Sequence, residues 1–248
     1  MNTASRGQRR SGLDTIRGAA LVSMILYHAA WDMVYLFGAD WDWYRSDGAY
    51  VWQQSICWTF ILLSGYCFHL GRRRLRGGLM AFGGGWLVTA VTLVTMPDTP
   101  IFWGVLTLLG SAALLTIPLD RLLAKIPARA GLALSFGMFL LFRDVSGGWL
   151  GFEGVRVLAV PEALYANFFT AWLGFPAAGF YSSDYFPLLP WLFLFWTGYF
   201  LYRLRPEDPH RELPRIPVVT FMGRHSLVVY LLHQPAVYAV LTAWHLLF

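Results

Sequence analysis

Charge is what this sequence has least of. Only 13% of its 248 residues are Asp, Glu, Lys or Arg, about half the share that a water-facing domain carries. With 57% hydrophobic residues and a mean hydropathy of +0.50, that scarcity excludes an ordinary soluble domain. Cysteine is scarce as well. Cys57 and Cys67 lie ten residues apart on one predicted helix, roughly 15 Å along its axis, too far to bridge each other. No Cys/His spacing suited to zinc occurs, so no metal is expected. No small-residue cleavage site follows the basic residues 1–12, so the first apolar run reads as a retained span and not as a signal peptide. No internal repeat and no soluble appendage are evident. The net charge of +5 is spread in short clusters between apolar runs, which argues against a nucleic-acid partner and for membrane topology.

What is abundant fits a bilayer. Aromatics make up 17% of the chain, including twelve Trp, as ring belts at both membrane interfaces require. Apolar runs of spanning length fall at about 13–37, 50–70, 79–96, 101–118, 129–143, 186–203 and 217–247. The fifth is short, and Pro235 is expected to kink the seventh. The expected fold is an all-α, polytopic bundle of about seven transmembrane helices, a single domain over residues 1–248. Arg6, Arg9 and Arg10 precede the first span, and Arg72, Arg73, Arg74 and Arg76 follow the second. Arg121, Lys125 and Arg129 follow the fourth, and Arg203, Arg205, Arg211 and Arg215 the sixth. The alternate loops are mostly acidic, so the positive-inside rule puts the N-terminus in the cytoplasm. The long outer stretch from about 144 to 185 is rich in rings, and residues 161–175 are expected to form an interfacial or re-entrant helix.

Ionisable side chains inside lipid are paired, buried in the bundle or functional. On an ideal helix Asp14, Arg17, His28 and Asp32 share one face. They form two levels, with His28 roughly 16 Å beyond Arg17. Asp32, one turn after His28, is expected to bond its imidazole and fix the tautomer. The seventh run adds Gly223, Arg224, His225 and Ser226 near its start, then His233, Gln234 and Pro235 at a depth similar to that of His28. The outer segment from Ser182 to Trp191 sets Asp184 among rings, which suits a sugar stacking on them or a proline-fixed interfacial anchor. A transporter pathway or a structural polar core would use the same residue types.

Four stretches resemble one family. Leu13-Asp14-Thr15-Ile16-Arg17-Gly18 with His28, Gly223-Arg224-His225-Ser226-Leu227, His233-Gln234-Pro235, and Asp184-Tyr185-Phe186-Pro187 with Pro190-Trp191 look like bacterial relatives of the heparan-α-glucosaminide N-acetyltransferase catalytic domain. Arg17 and His28 also resemble the first span of the wider transmembrane acyltransferase superfamily. The sequence departs from the pattern at Thr107, where relatives often carry His, and it is shorter than the lysosomal enzyme. The resemblance implies a multi-pass enzyme of the bacterial cytoplasmic membrane. It would move an acyl group, acetyl in the first instance, from cytoplasmic acyl-CoA to a hydroxyl or amine of an extracytoplasmic sugar or glycan. It implies catalytic roles for His28, Asp32, His233 and Asp184, with His28 as general base or acyl carrier. Arg17, Arg224, His225 and Ser226 would bind acetyl-CoA or another acyl-CoA. Trp52, Gln53, Gln54, Trp103 and Tyr185 would hold the acceptor. A homodimer is an open partner.

Overall fold

A computed structural model of the chain describes residues 3–206 and 216–247, with side chains from residue 12 onward. The side chains of Arg6, Arg9 and Arg10, and all of Arg211 and Arg215, lie outside the described residues. The fold is mostly helical and divides into two compact units, Met1–Phe60 with Glu207–Phe248, and Ile61–Pro206.

The first unit is built on α1 (Thr3–Tyr35), the start of α2 (Asp47–Cys67), α8 (Pro217–Arg224) and α9 (Ser226–Leu247). Leu21, Met24 and Ile56 form its core, covered by Tyr27, Trp52, Met222, Val229 and Tyr230. A second cluster of Ala30, Val34, Tyr44 and Ala49 fixes the short turn between α1 and α2. The helices α1 and α8 meet backbone to backbone. A Cβ on Gly18 would run into the Val219 carbonyl, and one on Gly223 into the Asp14 carbonyl. Small residues allow such approach where lipid gives helices no hydrophobic reason to associate. Thr15 and Thr220 share a 2.7 Å hydroxyl hydrogen bond across the same seam. The seventh run is therefore not one helix kinked at Pro235. It breaks at His225, which leaves helical geometry (φ −105°, ψ 29°), while Pro235 sits inside α9.

The second unit holds the end of α2, α3 (Arg74–Thr95), α4 (Val105–Leu123), α5 (Ala128–Leu141), α6 (Phe168–Leu173) and α7 (Leu188–Leu204). The helices α3 and α4 pack through Gly85 and Gly110, each against the other helix's backbone. Buried Thr107 lies on Gly85 in this seam. At one end of the unit Arg74 pairs with Asp120 at 2.8 Å, and the Tyr199 hydroxyl donates to the same carboxylate at 2.7 Å. Arg203 donates to the carbonyls of Leu123, Ala124 and Ile126, closing the end of α4.

The long segment between α5 and α7 departs from an all-α expectation. Strands β1 (Trp149–Phe152) and β2 (Val155–Ala159) form an antiparallel hairpin, pinned by Asp144, which accepts the backbone N–H groups of Glu153 and Gly154. The helix expected over 161–175 is reduced to a turn at Glu162–Leu164 and the six-residue α6, which Asn167 and Thr170 start with a capping box. Among the described residues three helices are long and apolar enough to cross a membrane: α3, α4 and α9. At 14 residues α5 extends about 21 Å, short of a hydrocarbon core of ~30 Å.

Candidate active site

In the first unit the polar stripe of α1 meets α8 and α9 at two levels. At the first, Asp14 is the common partner of two guanidinium groups. Arg17 reaches it at 3.2 Å and Arg224 at 3.7 Å. Asp14 is only 14% exposed, whereas Arg224 is 60% exposed, so the carboxylate anchors the cluster and Arg224 extends from it. The Gly223–Asp14 backbone contact produces this arrangement, because it sets Arg224 one residue beyond the point where the helices touch. His225 occupies the break between α8 and α9 with its ring 4.6 Å from Phe221, and Ser226 opens α9.

The second level joins α1 to α9 by two contacts. The rings of His28 and His233 lie 4.9 Å apart. The Gln234 amide donates to Asp32 Oδ1 at 2.7 Å. Asp32 thus binds Gln234, and not His28 as the i,i+4 spacing suggested. Side chains one turn apart share a face, but Gln234 brings a fixed N–H donor to the carboxylate. Asp32 is fully buried, and His233 is the buried residue of α9. The His233 Nδ1–H donates to the Tyr230 carbonyl at 2.5 Å. A carbonyl can only accept, so this contact fixes the tautomer and leaves a lone pair on Nε2. Among the described residues no partner reaches His233 Nε2, Asp32 Oδ2 or Gln234 Oε1, all buried.

The acceptor residues expected on α2 are partly committed elsewhere. The Trp52 indole donates to Ser23 at 2.8 Å and its ring meets Tyr27 edge-on. The Gln54 carbonyl accepts from Trp58 at 3.2 Å, and its amide donates to Gln53 at 3.5 Å.

The remaining expected residues belong to the second unit. The Asp184 carboxylate accepts the backbone N–H of Val105, the first residue of α4, where the helix dipole favours negative charge. Burial pushes its carboxyl up to about 6, against the lowering effect of that hydrogen bond. Trp103 is buried with φ +55°. Its indole donates to Phe168 O, and its carbonyl accepts from Phe186 N. The Tyr185 hydroxyl donates to Ala171 O, holding α6. Ser182 bonds both backbone groups of Phe102, so residues 182–186 clamp the loop that starts α4.

A family model described as heparan-alpha-glucosaminide N-acetyltransferase, catalytic, matches residues 9–235. The chain belongs to this family. Membership brings a membrane acetyltransferase-like function. No curated protein and no solved structure matches the chain. The matched region of this N-acetyltransferase family member takes in both units and includes every residue of the two levels. Among the described residues no group of three His, Cys, Asp or Glu side chains could hold a metal ion. Gln234 stands in the polar set of the seventh run and in the stretch His233-Gln234-Pro235, but the sequence assigned it no role. The available signal was its place between His233 and Pro235, one residue from a buried imidazole.

Proposed function

We propose that the chain is a polytopic acyltransferase of the bacterial cytoplasmic membrane, its two units forming one domain, with seven spans and a cytoplasmic N-terminus. It moves an acetyl group from cytoplasmic acyl-CoA to a hydroxyl or amine of an extracytoplasmic sugar or glycan. The observation that supports this best is the contact between His28 and His233, with the Nε2 lone pair of His233 unengaged. A paired, tautomer-fixed imidazole is what general-base catalysis on a hydroxyl or amine needs.

At the first level, two arginines share one carboxylate, which leaves a net positive charge for an anionic donor. Guanidinium forks suit phosphate, and exposed Arg224 is the group placed to reach it. His225 and Ser226 border that level. Acyl-CoA supplies an activated thioester, whose carbonyl carbon is attacked as the C–S bond breaks and the thiol leaves. At the second level His233 Nε2 removes the proton from the attacking hydroxyl or amine and returns it to the departing sulfur. His28, in ring contact, completes the base pair of the site.

Replacing His28 or His233 by Ala in the detergent-solubilised chain should lower acetyl transfer by ~10²-fold or more. The stabilisation of the fold by millimolar CoA, a mass-action effect of binding to the native state, should persist. Normal turnover in His28→Ala, or no response of the wild-type chain to CoA combined with counterflow of a solute, would sink the acyltransferase reading.

A further inference from the structure

We infer that the hairpin β1–β2 lies in the headgroup layer of the bilayer, and that the partner of its exposed strand β2 is the lipid surface beside α5. Such anchoring is independent of the acyltransferase reading.

The second unit places the hairpin at a membrane boundary. Helix α3 stops at Thr95 and α4 starts at Val105, and both are long and apolar enough to cross. The loop joining them is held by the segment that carries the hairpin, since Ser182 bonds Phe102 and the Trp103 indole donates to Phe168 O. The hairpin itself continues α5, through a bridge between Phe142 and Gly151 and a 3.2 Å bond from the Asp144 N–H to the Gly151 carbonyl. With 14 residues, α5 spans only about 21 Å, so its apolar surface, on which Leu134 stands exposed, needs a continuation to match a core of ~30 Å.

Strand β2 supplies one. All five of its residues are exposed, with Val155, Val157 and Leu158 at 69%, 68% and 61%. In water such an edge invites pairing with another chain. The register works against a second copy, because between the partners of Leu150 and Gly151 the strand carries an extra residue, Val157, and a bulge twists an edge away from pairing. Arg156 is the one charge of β2 and lies over the Trp149 ring at 4.9 Å. Trp is a residue of the membrane interface, and a guanidinium suits lipid phosphate. Depth is limited from the other side. Among the described residues the sheet has two strands, so β2 keeps one edge unpaired, and hydrocarbon does not tolerate an open edge. Headgroups and interfacial water satisfy that edge while the side chains reach the acyl boundary.

The test places the full chain in nanodiscs of phosphatidylcholine and phosphatidylglycerol. Cys57→Ala and Cys67→Ala leave Val157→Cys as the single thiol, which is labelled with a polarity-sensitive fluorophore. For a segment seated ~5–10 Å into the headgroup boundary, a nitroxide near the lipid headgroup should quench the label at least about twofold more than one near the chain end, and aqueous iodide should quench it about threefold less than it quenches the free dye. Iodide quenching equal to that of the free dye would put the strand in water, and stronger quenching from the chain end would put it in the core; either result overturns the inference. Protection from both quenchers, with Val157→Cys chains joined by a disulfide on mild oxidation, would show a second copy on the strand and overturn it too. Leu158→Cys repeats the measurement one residue on, should the first labelled chain fail to fold. No turnover enters the measurement, so its failure leaves the acyltransferase reading intact.

Discussion

Gly223→Ala should damage this protein more than its size suggests. A Cβ there would lie 2.7 Å from the Asp14 carbonyl carbon and 2.7 Å from Gly18 N, where ordinary contact needs about 3.5 Å. The Asp14 carbonyl oxygen stands closer still; all three obstacles are backbone, so no side chain can rotate aside and the helices α1 and α8 must part by well over ~1 Å. Overpacking of this kind costs typically ~1–3 kcal/mol, and a rigid neighbour puts it at the upper end. Alanine returns up to about 1 kcal/mol of helix propensity over glycine. The net loss is about 2 kcal/mol, or roughly 4–8 °C in unfolding temperature for a chain of this length. Parting the helices also stretches the Thr15–Thr220 bond and draws Arg224 from Asp14, so the CoA response should weaken with stability. Gly18→Ala presses on the same seam from the facing helix, against the Val219 carbonyl. The double variant should therefore cost less than the sum of the singles, since residues in one contact couple. Thermal unfolding of the four proteins in one detergent decides the matter. A Gly223→Ala chain within a degree of wild type, or strictly additive losses, would refute the close-packed seam.

Three further outcomes rest on particular contacts. The folded pKa of Asp184 is about 6, above its ordinary value of 3.8, so its contribution to stability is present in acid and is lost as pH rises through 6. Asp184→Asn keeps an oxygen for Val105 N–H and should flatten that part of the stability profile between pH 4 and 7; an unchanged slope would count against the buried carboxyl. Arg203→Met should strand the Ala124 and Ile126 carbonyls and leave Leu123 O only the Ile126 N–H, costing about 2 kcal/mol and speeding amide exchange over residues 122–128, whereas unaltered exchange there would refute the cap. Trp52→Phe removes the hydrogen bond to Ser23 at about 1 kcal/mol and should leave acetyl transfer within about threefold; a loss beyond tenfold would return Trp52 to the acceptor site.

Helix positions were readable because apolar runs of spanning length leave a strong mark. Runs placed near 79–96 and 101–118 fall largely within Arg74–Thr95 and Val105–Leu123. The break at His225 was less legible than Pro235, although the break proved to be the real one. Proline is a visible helix disruptor, but within α9 it removes only one backbone donor, whereas the Gly223–Asp14 contact orients α8 independently of the residues beyond it. The hairpin at Trp149–Ala159 was hidden for a different reason. Its second strand, Val155–Ala159, is exposed throughout, so it carries no alternation of apolar and polar residues, and the register is held by Asp144 and by glycines at positive φ such as Gly151 and Gly154.

The site was legible as far as helical periodicity reaches and no further. Periodicity on α1 correctly joined Asp14 to Arg17 and set His28 and Asp32 on one face. It could not say which helix that face meets, and so it supplied Asp32 with the nearest visible partner, His28. The decisive partners come from α8 and α9, more than 190 residues away in sequence: Arg224 for Asp14, His233 for His28, Gln234 for Asp32. Gln234 is visible in the seventh run beside His233, but nothing in the sequence marks its bond to Asp32. Yet it alone determines which carboxylate oxygen of Asp32 is satisfied. A neutral amide beside a buried acid is as informative as the acid itself, because in a low-dielectric bundle the charged group's direction is set by whichever fixed dipole it can reach.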